Sequence, residues 1–260
     1  MRNKRAIGCF RSAKVVTGPL LLSMCARVTK RPMDFDAILF DCDGVLVDSE
    51  ILGLDDSAAY LRSHGLAWSS DDLVRLFTGL RDDVFATRLA GAYREAHGAA
   101  PPEGFFDGLV ETRRRKRDEL QPVSGAAAAL GAIGTPKAVA SSSRLIYLES
   151  KLKRTGLYDL VAPHIYSADV VASGKPAPDI FLYAAERLGV AAPRCLVIED
   201  SANGVVAGRA AGMTVWGFMG GGHCFDGHEK RLLAAGAHAV VRDFPALLKQ
   251  LGSARRAVAG

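Results

Sequence analysis

The sequence predicts an α/β protein in which a parallel sheet carries helices on both faces and an all-helical cap domain is inserted after the first strand. After Pro122, short apolar runs alternate with helical patterns, which is typical of a parallel sheet covered on both faces. Before that alternation, residues 51–118 are predicted to be helical throughout. The composition, 49% hydrophobic and 23% charged over 260 residues, is that of a packed globular chain.

The predicted strands are short apolar runs that end in turn signals. In chain order they are residues 37–40, 138–140, 164–166, 195–198, 214–218 and 239–241. The helices predicted between and after them begin at Ser124 and at Leu145, span 178–188, end near Gly212, and span 244–251. Within the helical insertion, Ser69 precedes an acid at Asp72, the spacing of a capping box. Pro101-Pro102 separates two of its helices.

The net positive charge of the chain comes from its first 32 residues. They hold eight lysines and arginines and no acid, whereas the whole chain has 33 basic and 28 acidic residues. The remainder is therefore slightly acidic, which excludes the basic surface of a nucleic-acid-binding domain. The longest apolar run of this segment, residues 15–26, is interrupted by Gly18-Pro19 and is too short to span a bilayer. We expect neither a nucleic-acid nor a membrane partner.

These patterns also predict the domain boundaries. Residues 1–32 are interpreted as a basic N-terminal extension, either a disordered tail or a misassigned start upstream of Met33. Residues 33–50 and 119–260 are predicted to form the α/β core, and residues 51–118 the helical cap. Because ligands of parallel α/β sheets bind at the carboxyl ends of the strands, we expect the cap to lie over that edge.

Cysteine usage points to a reducing compartment. The five cysteines are odd in number and include no Cys-x-x-Cys pair, which argues against a disulfide framework or a zinc finger. The expected location is the cytoplasm.

The first candidate for chemistry follows the first strand directly. Asp41 and Asp43, separated by one residue, can face the same pocket once the strand breaks. One carboxylate can attack as a nucleophile while the other donates or accepts a proton. The alternative for such a pair is an ordinary acidic turn.

Three further candidates also follow predicted strands. Ser141-Ser142-Ser143 can bind an anion at a helix start or simply cap that helix. Lys175, between Gly174 and Pro176, can point inward to neutralise phosphate, or be a solvated loop lysine. Glu199-Asp200 ends an apolar strand, where two acids need a cation such as Mg²⁺.

Taken together and in this order, the four features resemble the haloacid dehalogenase-like superfamily over residues 35–251. The stretches FDCDGVLVDSE, GKPAPDIF and VIEDSANGV carry the resemblance. It is closest to the helical-cap branch, which contains phosphoglycolate phosphatase-like and β-phosphoglucomutase-like enzymes. The resemblance implies a Rossmann-like core and a phosphoaspartyl mechanism, in which Asp41 attacks phosphorus and Asp43 is the general acid and base.

The resemblance also implies a cofactor and its ligands. Mg²⁺ would be held by Asp41, by the backbone carbonyl of Asp43 and by Asp200, with Glu199 nearby or through water.

The phosphoryl group and the rest of the substrate have their own implied contacts. Ser141, Ser142 and Lys175 would bind the phosphoryl group, and Lys175 would also pair with Asp41. Arg81, after Gly79-Leu80, is a candidate contact for the leaving group, with a solvated arginine as the alternative.

Among the reactions of this superfamily, Asp43 favours phosphoryl transfer, because haloacid dehalogenation does not use a second aspartate. The expected function is therefore hydrolysis of a small phosphate monoester, a phosphorylated metabolite, by a monomer or weak dimer. Mutase-like members carry a histidine at the position of Gly53, which puts a β-phosphoglucomutase-like activity in doubt without excluding it. A non-catalytic module that binds a phosphorylated metabolite is the second alternative.

A glycine-rich segment, residues 220–222, precedes three polar residues that could bind a soft metal: His223, Cys224 and His228. Without a fourth ligand in the pattern, they are interpreted as incidental polar residues of a mobile loop.

The basic run at residues 113–117 is interpreted as a solvated helix face, and Trp216 and Phe218 as core residues.

Overall fold

The computed structural model describes residues 35–77 and 82–256. Six parallel strands form one sheet in the order β3-β2-β1-β4-β5-β6. They are β1 (Ala37–Phe40), β2 (Lys137–Ser141), β3 (Ile165–Ser167), β4 (Cys195–Glu199), β5 (Thr214–Phe218) and β6 (Ala239–Val241). Every predicted strand is present, with bounds that differ by at most one residue at either end.

Helices occupy the connections of this sheet. Between β1 and β2 lie α1 (Leu54–Ser63), α2 (Ser70–Phe77), α3 (Asp82–His97) and α4 (Phe105–Arg115). The helices that follow are α5 (Ala126–Ala132), α6 (Leu145–Arg154), α7 (Tyr158–Val161), α8 (Asp179–Leu188), α9 (Ala202–Ala210), α10 (His228–Ala234) and α11 (Phe244–Arg256). The Rossmann-like α/β fold with a helical cap is confirmed, and α7 and α10 are helices that the pattern did not predict.

Strand β1 lies in the middle of the sheet and is buried on both faces. Ile38 and Phe40 belong to one hydrophobic cluster, and Ala37 and Leu39 to another on the opposite face. This double burial explains why the strand is a continuous apolar run instead of an alternating one. Trp216 and Phe218 on β5 are fully buried, so their prediction as core residues is confirmed.

The strand register brings three strand ends together. Phe40 of β1 pairs with Val139 of β2 on one side and with Ile198 of β4 on the other. Because the strands are parallel and aligned, the residues that follow them meet at one edge of the sheet. Asp41, Ser141 and Asp200 are therefore neighbours at this carboxyl edge.

The helical insertion has a hydrophobic cluster of its own. Leu61, Leu89 and Phe105 are at most 1% exposed and pack together at its centre. The predicted capping box starts α2: the backbone N–H of Ser69 donates to Asp72 Oδ2 at 3.0 Å, and the backbone N–H of Asp72 donates to Ser69 Oγ at 3.1 Å. The division into cap and core at residues 50 and 119 remains a prediction.

Arg113 joins this insertion to the segment that leaves β1. Its guanidinium donates to the backbone carbonyls of Leu52 (3.2 Å), Ser49 (3.0 Å) and Glu50 (3.2 Å). Arg113 is exposed, as the prediction of a solvated helix face requires, and it also binds three backbone carbonyls of the segment that follows β1.

Two predictions concern residues that the structure does not describe: the extension at residues 1–32 and the substrate contact at Arg81. In the described ranges, none of the helices has the length and apolar character needed to cross a bilayer.

Candidate active site

A buried lysine occupies the centre of the carboxyl edge. Lys175 Nζ donates to Asp41 Oδ1 at 2.6 Å, to Glu199 Oε1 at 2.8 Å and to the backbone carbonyl of Ala140 at 3.0 Å. These three contacts use all three N–H donors of the ammonium group. Burial alone would lower the pKa of Lys175, but the charges of Asp41 and Glu199 outweigh it and raise that pKa. Lys175 is therefore a charged inward-facing lysine, and the alternative of a solvated loop lysine is wrong.

The local sequence explains how Glu199 holds its position. Its Oε2 accepts hydrogen bonds from the backbone N–H of Ser201 at 2.7 Å and from Ser201 Oγ at 3.0 Å. Ser201 also caps α9 by accepting from the backbone N–H of Gly204. A Cβ atom at Gly204 would overlap the Glu199 carboxylate, so this position needs glycine.

Three carboxylates converge beside this lysine. Asp41, Glu199 and Asp200 are all buried, and one oxygen from each lies within 4.8 Å of the others. Burial raises the pKa of Asp41 well above its usual range, and the Lys175 charge opposes the rise only in part. The cluster is therefore short of positive charge. A group of hard oxygen ligands with this deficit fits a divalent cation such as Mg²⁺.

The Asp43 carboxylate accepts hydrogen bonds from a different set of donors than Asp41 does. Its Oδ2 accepts from Ser143 Oγ at 2.8 Å, and its Oδ1 accepts from Ser49 Oγ and from Lys151 Nζ. Burial would raise the pKa of Asp43, but the Lys151 charge and these hydrogen bonds outweigh it and lower that pKa. The interpretation of Asp41-x-Asp43 as an ordinary acidic turn does not explain two carboxylates that each pair with a separate lysine.

The serines after β2 have different surroundings. Ser141 is fully buried and its Oγ accepts from the backbone N–H of Ser143 at 3.1 Å, while Ser142 is exposed. These serines do not cap α6, because the backbone N–H of Leu145 donates to Asp169 Oδ2 at 2.8 Å instead. The helix-cap alternative for this motif is therefore wrong.

Two histidines hold Asp200 from both its side chain and its backbone. His223 Nε2 contacts Asp200 Oδ2 at 2.8 Å, and His228 Nε2 donates to the Asp200 carbonyl at 2.6 Å. Both rings are at most 3% exposed. The prediction of incidental polar residues in a mobile loop was therefore wrong. The signal available in the sequence was the glycine tract before His223, since a Cβ at Gly221 would lie 2.8 Å from its ring.

The contact between His223 and Asp200 shifts the pKa values of both groups. Burial raises the pKa of Asp200 to about 6, although the hydrogen bond from His223 opposes the rise. Burial would lower the pKa of His223, but its hydrogen bond to Asp200 outweighs this and raises that pKa to about 11. His223, Cys224 and His228 also offer ligand atoms within 4.8 Å of one another. Both histidine Nε2 atoms are bonded to Asp200, which gives the rings a role in supporting it, and both Nδ1 atoms are buried without a hydrogen-bond partner among the described residues.

Replacing His223 with alanine is expected to lower the free energy of unfolding by about 1–3 kcal/mol, because the buried Asp200 carboxylate loses its donor. Urea titration of the metal-free protein measures this change. His223→Gln, which keeps an N–H donor at a similar reach, should recover part of the loss. Equal stability of wild type and His223→Ala would show that the contact contributes nothing.

Sequence reasoning missed two donors to Asp43, namely Lys151 and Ser49. Lys151 lies on α6, between the buried Leu148 and Leu152, with no motif around it. Only the packing of α6 beside the carboxyl edge brings its ammonium to Asp43.

Comparison with known proteins agrees with this geometry. The sequence model of the haloacid dehalogenase-like hydrolases matches residues 35–212. A crystal structure of a HAD family hydrolase from Deinococcus radiodurans R1, with bound phosphate and sodium, is 36% identical with a TM-score of 0.75. That similarity covers 86% of this chain and 97% of the other.

Two curated relatives show how far the similarity extends along each chain. The phosphorylated carbohydrates phosphatase of Thermotoga maritima is 31% identical over 212 residues, which cover 80% of this chain and 94% of that protein. The chloroplastic SUPPRESSOR OF QUENCHING 1 protein of Arabidopsis thaliana is 36% identical over 186 residues, 68% of this chain, and the match spans only 17% of its length. Because the family model matches residues 35–212, the chain belongs to the haloacid dehalogenase-like hydrolases.

Proposed function

We propose that this chain is a Mg²⁺-dependent phosphatase that hydrolyses a small phosphate monoester through an aspartyl-phosphate intermediate. The observation that carries the proposal is the pair of aspartates after β1, each held by its own lysine. Lys175 holds Asp41 at the centre of the edge, and Lys151 holds Asp43 beside it. The family match and the phosphatase relative of Thermotoga maritima support the same reaction class.

In the first step of this mechanism, Asp41 attacks phosphorus. Lys175 binds Asp41 Oδ1 and so orients the carboxylate, and Oδ2 is the oxygen that forms the new bond to phosphorus. The bond between phosphorus and the ester oxygen breaks, and Asp43, which must enter this step in its protonated form, transfers that proton to the leaving oxygen. Asp43 then accepts a proton from the water that hydrolyses the aspartyl phosphate.

The site residues fit a bound Mg²⁺. Asp41, Asp200 and the backbone carbonyl of Asp43 would be its direct ligands. Glu199 would lie nearby, because both of its carboxylate oxygens are already bonded, to Lys175 and to Ser201. When bound, the cation would neutralise negative charge on the phosphoryl oxygens.

The remaining phosphate contacts are assigned to Ser141, Ser142 and Lys175. Ser141 lies at the end of β2 and directly at the carboxyl edge, which supports its role.

The surroundings of Gly53 favour hydrolysis over a mutase reaction. Gly53 has a positive φ of 66° at the start of α1, and a Cβ there would lie 3.0 Å from Arg113 Cα. The histidine of mutase-like members would therefore be strained at this position. A non-catalytic binding module is disfavoured because both aspartates are present and each is bonded to a lysine, Asp41 to Lys175 and Asp43 to Lys151.

The free thiols of Cys42, Cys195 and Cys224 support a reducing compartment, and we assign the enzyme to the cytoplasm.

The test is release of inorganic phosphate from a panel of small phosphate esters, with Mg²⁺ and with a chelator in its place. Turnover of at least one ester that requires Mg²⁺ is the expected result. Interconversion of glucose phosphates without phosphate release would favour the mutase. Binding of esters without either reaction would favour the binding module.

A further inference from the structure

Two buried histidine nitrogens have no hydrogen-bond partner in the part of the chain that the structure describes. They are the Nδ1 atoms of His223 and His228, whose rings are at most 3% exposed. A buried polar atom that is left without a partner lowers the stability of the fold, and most such atoms in native proteins are paired. Two of them on neighbouring rings therefore indicate a ligand that these nitrogens bind.

The other nitrogen of each ring is bonded to the same residue. His223 Nε2 contacts the Asp200 carboxylate at 2.8 Å, and His228 Nε2 contacts the Asp200 backbone carbonyl at 2.6 Å. Carboxylate and carbonyl oxygens accept hydrogen bonds, so each Nε2 carries a hydrogen. In a neutral ring with its hydrogen on Nε2, Nδ1 has a free lone pair. Metal-binding histidines are oriented in this way, with the N–H of the second nitrogen bonded to a carboxylate or a backbone carbonyl.

A thiol lies next to the two rings. Cys224 is a half-buried free cysteine, and its Sγ is 3.9 Å from the His223 ring. One nitrogen of each ring and this sulfur lie within 4.8 Å of one another. The rings themselves are perpendicular, with their centroids 5.4 Å apart. Imidazole nitrogen and thiolate sulfur are the ligands that Zn²⁺ and similar cations prefer in proteins.

This group differs in chemistry from the carboxylate cluster of the active site. Asp41, Glu199 and Asp200 offer oxygen atoms, which suit Mg²⁺, whereas the two histidines and the cysteine offer nitrogen and sulfur. The two groups meet at Asp200, which both rings contact. A cation on the free histidine nitrogens would hold these rings in place without using an oxygen of the carboxylate cluster.

We propose that His223, Cys224 and His228 bind Zn²⁺ or a similar soft divalent cation, through the free Nδ1 atom of each ring and the Cys224 thiolate. Three protein ligands leave the fourth tetrahedral position to water. The thiol and both histidines bind in their deprotonated forms, so binding releases protons and weakens at low pH. This site does not depend on the proposed phosphatase function, and its contact with the active site is through Asp200.

The test uses Co²⁺ as a spectroscopic probe for this site. A thiolate bound to Co²⁺ gives a strong near-ultraviolet charge-transfer absorption, which oxygen ligands do not give. The reduced, chelator-treated protein is titrated with Co²⁺ in the presence of excess Mg²⁺, which competes for the carboxylate cluster. The thiolate absorption is expected to rise until Co²⁺ and protein are equimolar, and to disappear when Zn²⁺ displaces the Co²⁺.

Cys224→Ser is the decisive variant, because it removes the thiol and leaves both histidines in contact with Asp200. It should lose the thiolate absorption and bind Zn²⁺ at least about a hundredfold more weakly, as measured by competition with a chromophoric chelator. Loss of a residue that only orients a metal ligand already costs about 10- to 100-fold in affinity. The matched control is Cys195→Ser on β4, where the thiol lies near the Ala191 carbonyl, and it should leave both measurements unchanged.

Alkylation of the wild-type protein is a second measurement that needs no variant. Zn²⁺ should protect Cys224 from iodoacetamide, as read by peptide mass spectrometry, and the same concentration of Mg²⁺ should not. Co²⁺ binding without thiolate absorption, absorption that persists in Cys224→Ser, or alkylation of Cys224 that Zn²⁺ leaves unchanged would each overturn the site. These readouts are independent of phosphate release, whose absence overturns only the proposed function.

Discussion

Replacing Asp41 with asparagine should abolish phosphate release, with a fall in kcat of roughly four to six orders of magnitude, as for loss of a covalent nucleophile. The amide keeps the shape of the carboxylate and can still accept a hydrogen bond from Lys175, but it does not attack phosphorus. The measurement is phosphate release at a saturating ester concentration. Mass spectrometry of rapidly quenched protein should show a transient added phosphoryl group in the wild type and none in the variant.

Asp36→Asn is the matched control for this substitution. Asp36 lies just before β1, is paired with Arg194 and has a side chain 52% exposed, so it is close in sequence but outside the site. Its removal should leave kcat unchanged. If Asp41→Asn kept more than about a hundredth of the wild-type rate, far above what remains without a nucleophile, direct attack of water on the ester would replace the phosphoaspartate mechanism.

Lys175→Met is expected to affect both stability and activity. It leaves the buried carboxylates of Asp41 and Glu199 without their shared cation, which costs about 3–5 kcal/mol of unfolding free energy in the absence of metal. The lost orientation of Asp41 and the lost positive charge should lower kcat by about a hundredfold to a thousandfold. Urea unfolding and phosphate release measure the two effects.

The double variant Lys175→Met/Glu199→Gln separates these effects. Removing the Glu199 charge should restore part of the stability, because one uncompensated carboxylate is gone, while activity stays low. Lys137→Met, at the start of β2 with Nζ bonded to the Ile133 carbonyl, is the control outside the site. A single Lys175→Met variant as stable as the wild type would show that the two carboxylates do not need this lysine.

The strands and the sequence motifs were predictable because each depends on the pattern of residues within one short segment of the chain. A strand buried on both faces has a continuous apolar sequence, as Ala37–Phe40 does. Because the parallel strands are aligned, the residues that follow them lie close together. This is why Asp41, Lys175 and Asp200 meet as the sequence predicted.

The supporting residues were not predictable, because their roles depend on packing between distant segments. His223 contacts Asp200 only because the backbone at Gly44 and Gly221 leaves room for the ring. Lys151 is 108 positions from Asp43 along the chain. The sequence shows a glycine tract and a helix lysine, but neither pattern identifies the partner.

The central position of β1 has a consequence for the order in which the protein can fold during synthesis. Strand β1 ends at Phe40, but its neighbour β4 starts at Cys195, about 155 residues later, so this pairing has a high contact order. At translation rates of about 5–20 residues per second, the ribosome needs on the order of 10–30 s to supply that partner. Throughout this interval the apolar β1 segment lacks its pairing with β4. The nucleophile Asp41, one residue beyond β1, therefore reaches its functional position only late in the life of the nascent chain.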